Sequence, residues 1–122
     1  GDPHVSQGDG EISGTAIEAS LDVLFQIVLR KDFKFPSPLL ETPDHWIVHG
    51  FDEDLNKAMK NASLDMLHLL TEHQDLSRND AYSLMSVATD FGITQVVDGT
   101  QGIHVKIDRN IFPEKGVVKD PD

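Results

Sequence analysis

Within its first eighteen residues, GDPHVSQGDGEISGTAIE, the chain gathers Asp2, His4, Gln7, Asp9, Glu11 and Glu18, with Gly1, Gly8, Gly10 and Gly14 set among them. Glycine takes positive φ freely and lets a ligand or a second strand approach the backbone closely. Carboxylates and an imidazole held in such turns are the raw material of a hydrolytic or metal-binding site. Zinc takes His nitrogen and Asp or Glu oxygen and keeps one position open for water when it is catalytic. Calcium prefers several carboxylate and carbonyl oxygens. Asp2 and His4 are two apart, so an extended backbone points both to one side, and the same holds for Asp9 and Glu11. A second reading stays open on spacing alone. Asp-Gly and Gly-Asp pairs are common in plain hairpin turns, whose Asp side chains bond to the local backbone.

Other chemistries find less support. The chain has no cysteine, which excludes disulfides, thiolate metal sites and a thiol nucleophile. It also lacks a G-x-S-x-G elbow, a phosphate loop and an H-E-x-x-H helix. His68 and His73 lie five apart on an expected helix, share no face and read as surface residues. His45 and His49 share one face of an expected strand but stand far apart on it. His104 reads as solvent-facing, and Trp46 and the phenylalanines read as core.

The elements that must position the front residues follow from periodicity. Residues 1–10 read as loop and tight turn, and 11–19 as a strand rich in Ile, Thr and Ala. Strict alternation places Glu11 and Glu18 on opposite faces of that strand unless a bulge intervenes, for which Gly14 is suited. A second strand is expected at 21–30, with Leu21, Val23, Phe25, Ile27 and Leu29 on one face and Leu24 and Val28 half-covering the other. Two short strands are expected at 39–41 and 45–51. Apolar spacing then becomes helical at Leu55, Met59, Ala62, Met66, Leu69 and Leu70, which predicts a helix over 52–73 capped by Asp52. Ser77 caps a second helix, with Asp80 as capping-box partner and Leu76 placed to staple against Ala81. Its apolar face is Ala81, Leu84, Met85, Ala88 and Phe91, and Gly92 stops it. Residues 93–97 read as extended or as a short turn of helix, Asp98-Gly99 as a turn, and 103–107 as a closing strand. The tail from Pro113 reads as poorly ordered. This order predicts an α+β fold, mainly antiparallel sheet packed by a helical hairpin.

Composition bounds the reading. A chain of 122 residues makes one domain or part of one and is long enough for a core. Its 39% hydrophobic and 25% charged residues are those of a soluble globular protein. The formal net charge of −11 argues against nucleic acid and anionic membrane as partners. It suits cation binding, although a solvated acidic surface is the commoner cause of such a charge. The longest apolar run, 23–29, is broken by Gln26 and is too short to span a bilayer, and no signal peptide is expected from the front residues. The absence of cysteine fits a reducing compartment, so a cytoplasmic location is expected. The chain opens directly on its motif without Met, and we read it as a piece of something longer or a processed product.

The run GDPHVSQGDGEISGTAIE resembles the motif of the acetamidase/formamidase family, in which G-D-x-H, an A-or-S-Q-G-D-G-E and G-T-A-I-E follow one another. The match covers eighteen consecutive residues, and weaker similarity continues through LSRNDAYSLMS and TQVVDG to Ile111-Phe112-Pro113. The resemblance therefore covers residues 1–113, with 114–122 as a tail. It implies that these residues form the C-terminal part of a longer domain, a sandwich completed by N-terminal strands. It implies hydrolysis of a small aliphatic amide to carboxylate and ammonia, assisted by a divalent metal, zinc or calcium. Mapped onto the motif, Asp2, His4 and Glu18 are the implied metal ligands, Glu11 the acid/base, and Gln7 the residue that orients the amide. The implied partner besides substrate is a second copy or the missing N-terminal half. The alternative is an inactive fragment, or a metal-binding or structural module that depends on a partner chain.

Overall fold

A computed structural model describes residues 3–113. Asp2 and the tail 114–122 lie outside the described residues. Two short strands open the chain, β1 (His4–Ser6) and β2 (Ile17–Glu18), paired antiparallel. Next come β3 (Leu39–Glu41), β4 (His45–Asp52), the helices α1 (Leu55–His73) and α2 (Arg78–Ala88), then β5 (Thr89–Gln95) and β6 (Gln101–Asp108). The last four strands form one antiparallel sheet in the order β3-β4-β6-β5. The architecture is α+β, as the alternation of periods implied.

Alternation along β4 and β6 decides which face is buried. Trp46 and Val48 of β4, with Ile103, Val105 and Ile107 of β6, point to one side and are buried. Against them lies the stripe Ala58, Ala62, Met66, Leu69 and Leu70 of α1, spaced at three and four residues as a core-facing helix requires. Helix α2 adds Ala81 and Met85. Gly50 lets α1 approach β4 so closely, since a Cβ there would stand 2.2 Å from Ala58 O and Ala62 N. The helical hairpin thus covers one face of the sheet.

The ends of the helices show why the expected limits shift. Helix α1 starts at Leu55, with Asp54 rather than Asp52 as the cap; the Asp54 side chain accepts from Lys57 N at 3.0 Å. Ser77 caps α2 as expected, accepting from Asp80 N and donating to Asp80 Oδ2. That helix stops at Ala88, not at Gly92. Phe91 and Gly92 belong to β5, where they pair with Val105 and His104 of β6. The ladder to β6 overrides the helical spacing of Phe91.

Two larger departures concern the front half. The strand expected over 11–19 is a turn: Glu11 and Gly14 take φ of 41° and 72°, Gly14 N donates to Glu11 O at 2.8 Å, and only Ile17–Glu18 is extended in a ladder. The strand expected at 21–30 forms none. Its apolar side chains stand in solvent, Leu24 fully and Ile27 at 86%. Both of its faces are apolar, and nothing among the described residues covers either one. Phe25 is accordingly exposed rather than core. Among the described residues, no helix is long and apolar enough to cross a membrane.

Candidate functional site

Pairing of β1 with β2 sets His4 opposite Glu18, and residues opposite each other on antiparallel strands put their side chains on one face. His4 Nε2 and Glu18 Oε1 are 3.8 Å apart. The other ring nitrogen, Nδ1, donates to Gln7 Oε1 at 2.9 Å and stands 3.8 Å from Glu11 Oε1. One imidazole therefore lies between two carboxylates, which the turn at 11–14 delivers to its opposite sides. An unbroken strand would have pointed them apart.

Glu11 is the unusual member. It is the one charged residue in the buried set of the described chain, with 7% exposed. Its backbone is left-handed, which costs a non-glycine residue about 1–3 kcal/mol and is found preferentially at functional sites. The turn that carries it docks on β5. Gly10 N donates to Ile93 O at 2.6 Å, Val96 N donates to Gly10 O at 2.9 Å, and Gln7 Nε2 reaches Thr94 O at 3.4 Å. Asp9, expected to share a side with Glu11, instead faces outward, with its Oδ2 3.8 Å from His104 Nε2.

The donor set allows a direct test of fit to a cation. With Nδ1 committed as donor to Gln7, neutral His4 presents the Nε2 lone pair to Glu18 Oε1, so two acceptors converge. A proton or a cation between them resolves that opposition. A metal-bound imidazole commonly donates its other N–H to a carbonyl or carboxylate, which is what Gln7 accepts here. His4 and Glu18 thus fit two places in a divalent site. Among the described residues no group of three His, Asp or Glu completes one, and Asp2, expected as a third ligand, lies outside them.

The remaining histidines sort differently from the sequence reading. His104 is not solvent-facing: its side chain is 23% exposed and its Nδ1 lies 3.0 Å from Thr94 Oγ1. His68 and His73 come within 6.1 Å of each other and pack on Phe35, with Phe33 on His73 at 4.9 Å. The segment 31–37 brings those phenylalanines across α1, which spacing on the helix alone cannot show. Burial pushes the His73 imidazole down, and the neighbouring His68 adds to the effect. His49 Nδ1 donates to Pro38 O at 3.0 Å, and the ring stacks on Phe51.

The site is thus a buried acid, an imidazole and a second carboxylate, held on glycine turns beside an α+β sheet. Residues 1–114 match the Acetamidase/Formamidase family, and the chain belongs to it. Its structure is similar to that of a recombinant predicted acetamidase/formamidase from the thermophile Thermoanaerobacter tengcongensis, at 29% identity and TM-score 0.82, over 88% of this chain and 36% of that one. An acetamidase from Yersinia enterocolitica matches at 25% identity and TM-score 0.78, over 91% of this chain and 34% of its own. An acetamidase from Bacillus halodurans, at 23% identity and TM-score 0.72, shares the fold over 88% of this chain and 37% of its own. The chain thus spans about a third of the length of these relatives. No curated protein matches it by sequence.

Proposed function

We propose that this chain supplies part of the active site of an amidohydrolase that converts small aliphatic amides, formamide and acetamide, to carboxylate and ammonia. The observation that carries the reading is the placement of His4 between buried Glu11 and exposed Glu18, at 3.8 Å from each. Family membership supports the reaction class.

In this reading Glu11 is the acid/base. Its carboxylate takes a proton as water adds to the amide carbonyl, and the C–N bond breaks as that proton passes to the departing nitrogen. Ammonia and the carboxylic acid, ionised at neutral pH, are the products. The docked turn fixes the Glu11 carboxylate before substrate arrives, which avoids ordering it during the reaction. Glu18 and His4, with Asp2, are the residues that would hold a divalent cation, zinc or calcium, and the chemistry such an ion supplies is carbonyl polarisation and a water of lowered pKa. Gln7 has both ends of its amide engaged, by His4 and by Thr94. We therefore assign it to orienting His4 in place of the substrate-orienting role that the motif implied.

The exposed apolar segment 21–29 supports a site completed by further chain, whether a second copy or the remainder of a longer protein. The lack of cysteine favours a cytoplasmic setting.

Ammonia release from formamide and acetamide, measured before and after chelation, tests the reading together with Glu11→Gln. The expected loss in turnover for the variant is about 10²–10⁴-fold, with dialysed wild-type protein holding close to one equivalent of divalent metal. A variant that keeps its rate removes Glu11 as the base and leaves Glu18 as candidate. Metal content below a tenth of an equivalent, with activity indifferent to chelation, removes the cation.

A further inference from the structure

His104 stands opposite Gly92 in the β5–β6 register, and glycine at 92 is what lets its ring lie across the sheet. A Cβ on residue 92 would stand 2.2 Å from His104 Nε2 and 2.6 Å from Cε1. The ring reaches over β5 to the turn at 8–11, where Nε2 lies 3.8 Å from Asp9 Oδ2. Its Nδ1 lies 3.0 Å from Thr94 Oγ1.

A threonine hydroxyl donates or accepts, so Asp9 decides the proton's position. When Thr94 donates to Nδ1, Nε2 carries the ring proton. When the ring is doubly protonated, Nδ1 donates to Thr94 and Nε2 again carries a proton. The remaining neutral tautomer would set a lone pair against a carboxylate and is disfavoured. In both favoured states an N–H at Nε2 faces Asp9.

The geometry points to His104 as a positioning residue: through Asp9 it holds the turn at 8–11 on β5, and with it the carboxylate of Glu11. Gly8 and Gly10 make that turn pliable, and Glu11 sits in a left-handed conformation that surrounding structure must enforce. Two backbone bonds, Gly10 N to Ile93 O and Val96 N to Gly10 O, pin the middle of the turn. The Asp9–His104 pair anchors its outer side, from the neighbouring strand β6. His104 acts through Asp9 and need not touch substrate. The kinetic consequence rests on the amidohydrolase reading, whereas the structural one does not.

Two substitutions separate the roles of the ring nitrogens. His104→Gln keeps an amide N–H near the Nε2 position, and His104→Asn keeps a polar group only near Nδ1, within reach of Thr94. Hydrogen exchange of the Gly10 and Val96 amides reports the anchoring of the turn. Exchange is expected to accelerate about ten-fold or more in His104→Asn and in Asp9→Ala, and to stay within about three-fold of wild type in His104→Gln. Unchanged exchange at Val48 and Leu69 shows that the core is intact, and exposed Asp9 supplies a variant that leaves the sheet untouched. In turnover of formamide, His104→Asn is expected to lower kcat about ten-fold with KM within about two-fold, and His104→Gln to restore it. Wild-type exchange at Gly10 and Val96 in both His104→Asn and Asp9→Ala would overturn the proposal, as would equal acceleration in the Asn and Gln variants. A wild-type protein without amidase activity would instead count against the amidohydrolase reading, and the exchange data would still decide the anchor.

Discussion

Gly50→Ala is the sharpest perturbation that this fold offers. The added Cβ would stand 2.2 Å from Ala58 O and Ala62 N and 2.8 Å from Ala62 Cα, whereas ordinary contact begins at 3.4 Å. The shortfall is about 1.2 Å, and every colliding atom is backbone of α1, so no rotamer change relieves it. Helix α1 must lift from β4 by about 1 Å. A gap of that size forfeits a quarter to a half of each dispersion contact across it. The contacts at risk are those of Trp46, Val48, Ala62 and Met66, all buried at the centre of the core. Overpacking of this kind costs roughly 1–3 kcal/mol, and a backbone collision in the core belongs at the top of that range, about 3 kcal/mol. For a chain of this length that loss lowers Tm by about 10–15 °C. Trp46 is the sole tryptophan and is 1% exposed, so its fluorescence follows urea unfolding directly. Gly8→Ala is the matched control, because nothing lies within 4 Å of a Cβ there. A Gly50→Ala midpoint within about 0.5 kcal/mol of wild type would refute the close-approach argument.

Two further outcomes follow from the structure. His73 has a folded-state pKa below its ordinary value, so the unfolded chain binds the proton more readily, and stability is full above about pH 6.5 and falls as pH drops below it. Urea midpoints at roughly pH 7.5 and pH 5.5 should therefore differ more for wild type than for His73→Gln, and parallel shifts would show that burial of this ring carries no linkage. The apolar segment 21–29 should drive association of the isolated chain; Phe25→Lys with Ile27→Lys should reduce it in sedimentation without moving the urea midpoint, because both side chains stand in solvent. A monodisperse wild-type monomer would refute that expectation.

Much of the helix-covered half was legible in the sequence because its signals are local. The three-and-four spacing from Leu55 to Leu70, the Ser77 cap and the alternation of Ile103, Val105 and Ile107 each name their own element. The end of α2 was not legible, since Phe91 continues the helical spacing and Gly92 is a common stop. Pairing with β6 decides that stretch, and a register is not visible in one strand alone. The segment 21–30 shows the opposite failure. Its alternation reads as a strand, but a strand exists only with a neighbour to bond, and none is present among the described residues.

At the site, residue types were legible and geometry was not. Acids, imidazole and glycines at the front announced polar chemistry, yet their convergence depends on a turn docked to β5 more than eighty residues later. The left-handed Glu11 has no sequence signature, because glycine is the usual occupant of that conformation. His104 could have been found through Gly92, had the β5–β6 register been known, since a glycine opposite a histidine leaves room for the ring to cross the sheet.

Stability and chemistry occupy separate parts of this chain, and the separation has a physical cause. The core lies between one sheet face and α1, built from Trp46, Val48, Val105, Ile107 and the alanine-rich helix stripe. The site lies on edge strand β5, where turn residues lean on backbone groups that no further strand occupies. An edge strand accepts such docking because its outward N–H and C=O groups are otherwise unpaired. The front turns therefore borrow rigidity from the core without contributing to it. A substitution at Gly50 should then disturb folding while leaving the His4–Glu11–Glu18 arrangement intact in whatever fraction folds. A substitution at Glu11 removes a charge from a strained turn that the core does not need, so its effect on turnover should exceed its effect on stability. Segment 21–30 follows directly from the front motif and carries apolar residues on both faces.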